Sequence, residues 1–370
     1  MKNKAPMKII SDNSRLSWHT FVADKGGCGH IRVIFPSLLC NILKIEGKQI
    51  NFFPSYNMQY ILDKEFYKDK LFVVFQRAAT EKQLEFVKFF QSNMIDETKT
   101  GMIYEIDDNL IDVPDWNMAA DYYNKNRKYS LDMIKRCHGV TASTEHLATK
   151  LRKYNKNVKV NLNHLPKFMW GDVPEIQESN KKKRILWTGS ANHFALPNSD
   201  KKGGDFDNYL LDYIVKTIDK YQWVFIGAMP KELYDVRDKI EFHKWQNIYN
   251  YPMFLKNLNI DMGIAPILDI DFNRSKSNIK ALEYTAAGIP AVYSDVEPYK
   301  NLTYTSKSGE EMINQIEFLV DSDDERKKVF ENDYKILEKQ LFWEEHGNLY
   351  NYINTFLNFF EMRLPDEEKI

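Results

Sequence analysis

The stretch Phe272-Asn273-Arg274-Ser275-Lys276-Ser277-Asn278-Ile279-Lys280-Ala281-Leu282-Glu283-Tyr284 combines two lysines and a carboxylate in a pattern suited to phosphate and ribose. A polar, basic loop enters a helix at Ser277-Asn278. Ala287-Gly288-Ile289-Pro290 then ends the helix and leads into an apolar strand. Helix N-termini attract anions because their first N–H groups are unpaired and the macrodipole adds partial positive charge. Lys276 at the helix start and Lys280 one turn further on strengthen that field. Glu283, deeper in the helix, can accept hydrogen bonds from a ribose diol. One element can thus hold both parts of a nucleoside diphosphate. The plainer alternative is a solvated helix start with an ordinary salt bridge.

Two further groups carry chemistry. Gly26-Gly27-Cys28-Gly29-His30, with Arg32 following, opens a helix; its glycines let a backbone approach a ligand, though a tight turn would use the same residues. Met102-Ile103-Tyr104-Glu105-Ile106-Asp107-Asp108 ends a strand in two adjacent carboxylates. If the strand stops at Ile106, Asp107 and Asp108 lie in the loop beyond it, where they can orient a hydroxyl or instead fix a turn. Spacing suggests no third ligand for a metal, so none is expected.

The elements that position these groups alternate between strand and helix, which implies βα units and parallel sheets. Strands are expected at Lys8-Ile10, Gln49-Phe53, Leu71-Phe75, Met102-Ile106, Val140-Ala142 and Val158-Leu162, with Trp18-His19 after the first. Helices are expected near His30-Leu43, Glu81-Ile95, Asn117-Arg136 and Thr144-Tyr154, the last capped by Ser143 or Thr144. Cys137-His138 reads as structural. A polar connector runs from Pro166 to Asn180. The alternation restarts with strands Arg184-Trp187, Trp223-Ile226, Ile240-Phe242, Met262-Ala265 and Pro290-Tyr293. Helices follow at Tyr209-Lys220, Tyr251-Leu258, Ser277-Ala287 and Gly309-Val320. A helical region from Asp323 to Glu361 closes the chain, with Trp343, Tyr350, Tyr352, Phe356 and Phe359 as its packing face.

At 370 residues, 43% of them hydrophobic, the chain can build two cores. A net charge of −1 argues against a general polyanion binder but permits a local basic patch. Such a run lies over Lys150, Arg152, Lys153, Lys156, Lys159, Lys167, Lys181, Lys182, Lys183 and Arg184; it reads either as a solvated face or as a contact for DNA. Cys28, Cys40 and Cys137 form no CxxC pair and suit a reducing compartment. No run approaches eighteen apolar residues, and Met1-Lys2-Asn3-Lys4-Ala5-Pro6 lacks an apolar signal core, so a soluble, cytoplasmic protein is expected.

The 272–290 stretch resembles the donor-binding region of retaining glycosyltransferases of the GT-B fold, which use nucleotide sugars. Asn250-Tyr251-Pro252, Asp261-Met262-Gly263-Ile264-Ala265-Pro266, Ser294-Asp295 and Pro298-Tyr299 agree with it. The resemblance implies an α/β protein with two Rossmann-like domains facing across a cleft and a C-terminal helix crossing back. Residues 1–170 would form the acceptor domain, 181–335 the nucleotide-sugar domain and 336–370 the returning helical segment. It also implies a donor, a UDP-sugar, with no cofactor required. Lys276 would meet the diphosphate and Glu283 the ribose, with Ser277 and Lys280 beside them.

Relatives carry two glutamates separated by seven residues; Ser275 stands in place of the first, which leaves the sugar open. Relatives place Gly-Arg after the first strand of the second lobe and Lys-Gly further on; here these are Gly189-Ser190 and Lys202-Gly203, with His193 nearby. Trp245, after the third strand, falls where relatives hold the nucleobase, or is a core tryptophan. Gly27 and Gly29 would border donor phosphate and acceptor. Catalytic roles then fall to Lys276, Asp107 and Asp108.

More loosely, Ile9-Ile10-Ser11-Asp12-Asn13, Trp18-His19 and the Asp107-Asp108 loop resemble DNA-modifying glycosyltransferases of T-even-like bacteriophages. Some of those act on hydroxymethylated cytosine, which makes DNA the expected acceptor. Synthesis of a bacterial surface glycan, nucleotide-sugar epimerisation and DNA binding without catalysis are the alternatives.

Overall fold

The computed structural model describes residues 8–9, 16–42, 44–45, 48–56, 62–176, 179–195, 203–360 and 362–363. Packing divides the chain into two units. One comprises Met1–Ile111, Tyr123–Pro166 and Phe342–Ile370; the other comprises Asp112–Tyr122 and Lys167–Leu341.

The first unit holds β1 (Lys8–Ile9), β2 (Leu16–Phe21), β3 (Lys44–Ile45), β4 (Lys48–Ser55), β5 (Phe72–Gln76), β6 (Gly101–Ile106), β7 (Gly139–Ala142) and β8 (Val158–Val160). A seven-stranded sheet runs in the order β3-β4-β2-β5-β6-β7-β8, parallel except for the β3–β4 pair. The strand β2 corrects the sequence expectation, which held no strand at Leu16–Phe21. Ser17, His19 and Thr20 interrupt its apolar run, yet all six residues are buried. A strand covered on both faces ordinarily reads as a continuous apolar run, and the buried Ser17, His19 and Thr20 break that pattern here.

Successive side chains of the sheet point to opposite faces. Phe21, Val73, Phe75, Met102 and Tyr104 pack with residues of the helices Glu81–Asn93, Ala120–Arg136 and Glu145–Leu151. Leu16, Trp18, Phe52, Phe72, Val74 and Ile103 face the other way and pack against the returning C-terminal segment. The helical region expected from Asp323 onward contains the helix Asp323–Leu341, in the second unit, and the helix Asn348–Leu357, which follows Gly347 (φ +69°) in the first. Trp343, Tyr352, Phe356 and Phe359 enter the core as expected, with Tyr350 at its margin. The Phe356 ring stacks on Phe72 at 5.5 Å and on Trp18 at 6.3 Å.

The second unit holds β9 (Arg184–Gly189), β10 (Gln222–Gly227), β11 (Glu241–His243), β12 (Met262–Ala265), β13 (Ala291–Ser294) and β14 (Thr305–Ser306). They form a parallel sheet in the order β11-β10-β9-β12-β13-β14. The expected connector contains a helical turn, Lys167–Trp170. A two-residue strand, β15 (Met362–Arg363), pairs with β1. Among the described residues no helix is long and apolar enough to cross a membrane. In parallel sheets ligands bind beyond the carboxyl ends of the strands, and the candidate residues lie there in both units.

Phe356→Ala should cost about 3–5 kcal/mol of stability, because a large aromatic is removed from a closed core. Urea denaturation measures this; a loss below about 1 kcal/mol would remove the tail helix from that core.

Candidate functional site

In the second unit the carboxyl end of β9 meets the helix Ile279–Ala286. Asn278 precedes that helix but does not cap it, because its amide exchanges two hydrogen bonds with Gln340, both at 3.0 Å. Lys280 is buried; its Nζ donates to the Thr188 carbonyl and lies 4.7 Å from the Trp187 ring centroid. Burial, with Lys276 adding repulsion, lowers the Lys280 ammonium to about 8. Thr188 Oγ1 stands 3.2 Å from Tyr251 Oη, which donates to Glu283 Oε2 at 3.3 Å. Burial raises the Glu283 carboxyl to about 7 against the pull of Lys280 and Tyr251. Gly189 ends β9 under the Trp187 indole: a Cβ there would fall 2.7 Å from Trp187 Cζ2 and 3.0 Å from His193 Cδ2.

Asp205, its side chain fully buried, organises the other side of this group. Its Oδ1 accepts from Asn273 Nδ2 at 2.7 Å and from the Leu268 N–H at 3.1 Å. Its Oδ2 faces His193 Nδ1 at 2.6 Å and Lys276 Nζ at 3.5 Å. Burial alone would raise this carboxyl; Lys276 and the His193 hydrogen bond override it and hold it well below the usual range. Burial and then the ammonium groups of Lys276 and Lys280 lower His193 to about 3, so its ring is neutral. Ser277 lies in the turn between the helices Asp271–Arg274 and Ile279–Ala286. Ser275 is buried, and its hydroxyl donates to the Asp271 carbonyl at 2.9 Å.

Beside this group is a cavity of about 270 Å³ whose lining includes Ala191, Phe194, Gly227, Met229, Arg237 and Phe242. It lies at the carboxyl ends of β9, β10 and β11. Trp245 is 58% exposed, which rules out a core tryptophan. Its Cε3 would lie 2.5 Å from a Cβ at Gly227, whose φ is +90°. Ser190 is exposed at the end of β9. Lys202 lies outside the described residues.

In the first unit β6 stops at Ile106, and Asp107 and Asp108 follow it in the loop. Arg77, at the end of β5 with φ +48°, binds both: its Nε pairs with Asp107, and its Nη2 lies 2.6 Å from Asp108 Oδ2. Burial would raise the Asp107 carboxyl, and Arg77 holds it below its ordinary value. Arg32 is buried against Glu105 at 2.7 Å and donates to Asn163 Oδ1 at 2.9 Å. The fold brings Cys28 beside the acid pair, its Sγ and both carboxylates lying within 4.8 Å of one another. Spacing suggests no third ligand for a metal, and the fold brings one candidate, Cys28, to the pair that Arg77 also faces. Gly29 is needed here, since a Cβ would fall 2.0 Å from the Asp24 carbonyl oxygen, whereas Gly27 has open space. His19 is a core residue between Phe21 and Phe66.

The fold therefore gathers Lys276, Lys280, Glu283, Gly189 and His193 in the second unit. Asp107 and Asp108 join Cys28 and Gly29 in the first. Sequence reading missed Asp205, Arg77, Thr188 and Trp187. The signal for Arg77 was a lone cation ending an apolar strand; Asp205 left only the Gly203-Gly204 pair before it. The basic run is split between the units and partly occupied: Arg152 pairs with Glu145, Lys167 with Asp172, Lys183 with Asp323 and Arg184 with Glu241.

No family model matches this chain, and no curated protein matches it in sequence. Solved structures share its architecture, among them the following two. A glycosyltransferase from Rickettsia africae ESF-5 superposes with a TM-score of 0.58 at 12% identity, covering 94% of this chain and 99% of that one. An alpha-glucosyltransferase in complex with UDP-glucose and DNA containing an abasic site superposes with a TM-score of 0.56 at 10% identity, covering 91% of this chain and 98% of that one. At these identities the likeness is one of fold, and it agrees with the α/β GT-B class expected from the sequence.

Asp205→Ala should destabilise the protein by about 3–5 kcal/mol, the cost of cutting one side of a buried ion pair. Denaturant unfolding tests this, and a loss under about 1 kcal/mol would show that Lys276 and Asn273 find other partners.

Proposed function

We propose that the protein is a glycosyltransferase that moves a sugar from a UDP-sugar to a hydroxyl. The observation that carries this is the convergence of Lys276, Lys280 and Glu283 with an uncapped helix N-terminus at the carboxyl end of β9. Cations and N–H groups suit a diphosphate, and the carboxylate suits a ribose diol. The neighbouring cavity has room for a base, with the exposed Trp245 indole close by. The solved alpha-glucosyltransferase of similar fold, bound to UDP-glucose and DNA, supports the donor and the choice of DNA as acceptor.

The acceptor proposed is hydroxymethylated cytosine in DNA. Its hydroxyl would bind in the first unit at Asp107 and Asp108, which Arg77 fixes, and Arg77 holds the Asp107 carboxyl below its ordinary value. Carboxylates so paired are hydrogen-bond acceptors that orient a hydroxyl rather than strong bases. The transfer we propose proceeds with retention. The bond from the anomeric carbon to the β-phosphate oxygen breaks, the acceptor oxygen bonds to that carbon, and the hydroxyl proton passes to the departing phosphate. Lys276, with the helix N–H groups, stabilises the charge that grows on the leaving diphosphate.

Incubation with a panel of nucleotide sugars, with and without hydroxymethylated DNA, tests both assignments through nucleotide release. Release only with a glycan acceptor would replace DNA by a surface polysaccharide. An altered sugar formed without acceptor would replace transfer by epimerisation.

Lys276→Ala should slow turnover by roughly a hundred- to a thousandfold, as for loss of a transition-state contact. Unchanged turnover in a folded variant would place the leaving group elsewhere. The pH profile of kcat/KM for the donor should be bell-shaped. Donor binding needs Glu283 ionised and Lys280 protonated, so activity rises through about 7 and falls above about 8. Glu283→Gln should erase the acidic limb; if that limb persists, another group titrates.

A further inference from the structure

We infer that His193 accepts a hydrogen bond through Nε2 from a hydroxyl of the donor's sugar, making it a residue that selects the sugar. This inference rests on the donor site described above. The ring is committed at one end: Nδ1 lies 2.6 Å from Asp205 Oδ2. That carboxylate can only accept, so the proton is on Nδ1. Its remaining acceptor positions are taken by Asn273, Leu268 and Lys276, so Asp205 is fixed in place.

Burial, and then the fields of two neighbouring ammonium groups, disfavour a second proton on the ring. Nε2 therefore carries a lone pair, and it has no partner among the described residues. The side chain keeps 16% exposure. Its ring stands perpendicular to Trp187 at 5.5 Å and over Gly189, at the end of the strand whose Thr188 carbonyl holds Lys280.

In the neutral ring this nitrogen is an acceptor, and a phosphate oxygen has no proton to give it. A hydroxyl has. The donor carries hydroxyls in two places, on the ribose and on the sugar. Glu283 is the acceptor suited to the ribose diol, which leaves the sugar for His193. The loop around it is pinned from both sides. The His193 N–H donates to the Ser190 carbonyl at 3.2 Å, Asn117 Nδ2 donates to the Asn192 carbonyl at 2.8 Å, and Asn117 bridges to Ala195. Ser275, turned onto Asp271, does not compete for that role. A fixed acceptor discriminates between sugars more sharply than a mobile one, because a hydroxyl missing or misplaced leaves it unpaired.

The test is calorimetric titration of the full chain with UDP, UDP-glucose and the four monodeoxy analogues of its glucose. The wild type should bind one analogue about tenfold more weakly than UDP-glucose. His193→Phe, which keeps a ring against Trp187, should weaken UDP-glucose about tenfold and abolish that difference, leaving UDP within about twofold. Retained UDP affinity also certifies that the variant is folded. His193→Gln, with an amide acceptor, should restore part of the difference.

A wild type indifferent to every hydroxyl overturns the inference, as does a His193→Phe variant that weakens UDP as much as UDP-glucose. In the first case UDP binding leaves the donor site standing. A wild type that binds neither UDP nor UDP-glucose removes the donor site itself.

Discussion

One buried carboxylate, Asp205, holds the second unit's site together. It accepts from the chain beyond β12 through Leu268, from the helix Asp271–Arg274 through Asn273, from the turn after it through Lys276, and from the loop beyond β9 through His193. Loops leaving neighbouring parallel strands have no ladder to hold them. A charge with saturated acceptor positions replaces that ladder. Burying an ion is costly unless its hydrogen bonds are made, and here all are made. Lys276 and Lys280 repel each other across this site, and Asp205 supplies the negative charge between them. His193, bound to that carboxylate and beside both cations, is left as a neutral acceptor.

The first unit solves the same problem with the signs exchanged. Its acids gather beyond β6, and the cation comes from the end of the paired strand β5, where Arg77 adopts a left-handed backbone. For a bulky residue that conformation costs on the order of 1–3 kcal/mol. It persists because the Arg77 N–H is bonded to the Glu105 carbonyl at 2.8 Å while the guanidinium spans both aspartates. Arg32, buried against Glu105 with its own carbonyl accepting from Tyr352 Oη at 3.1 Å, links this cluster to the C-terminal helix. The tail that completes the core thereby also supports the charged end of the sheet.

The alternation of strands and helices was legible because parallel strands are short apolar runs separated by amphipathic helices. The helix Ile279–Ala286 and its flanking lysines were legible because one local segment carries them all. The strand β2 was not: a strand buried on both faces is recognised as a continuous apolar run, and its Ser17, His19 and Thr20 break that run and resemble loop residues. Asp205 and Arg77 were illegible for a different reason. Each acts on groups distant in sequence, Asn273 for one and Asp107 for the other, and neither stands in a motif. Trp245 and Ser275 show the limit of local reading in detail. The tryptophan's exposure and the serine hydroxyl's turn toward Asp271 depend on backbone placement that residue type does not encode.

Lys280 and Glu283 share a helix three residues apart, yet each is driven toward its neutral form, the lysine downward and the glutamate upward. Each pulls the other the opposite way, but burial outweighs that attraction. The carboxylate is engaged by Tyr251 and the ammonium by a carbonyl and an aromatic face. These neutral partners stabilise the charges only in part. On the proposed function, a diphosphate brought to Lys280 and a diol brought to Glu283 would supply what the surrounding protein does not, and each would favour the charged form of its partner. Part of the binding energy is then spent on ionising the site. On that proposal the charges would reach full strength only with both ligand groups in place, so a ligand lacking either part would recover much less than its share of the affinity.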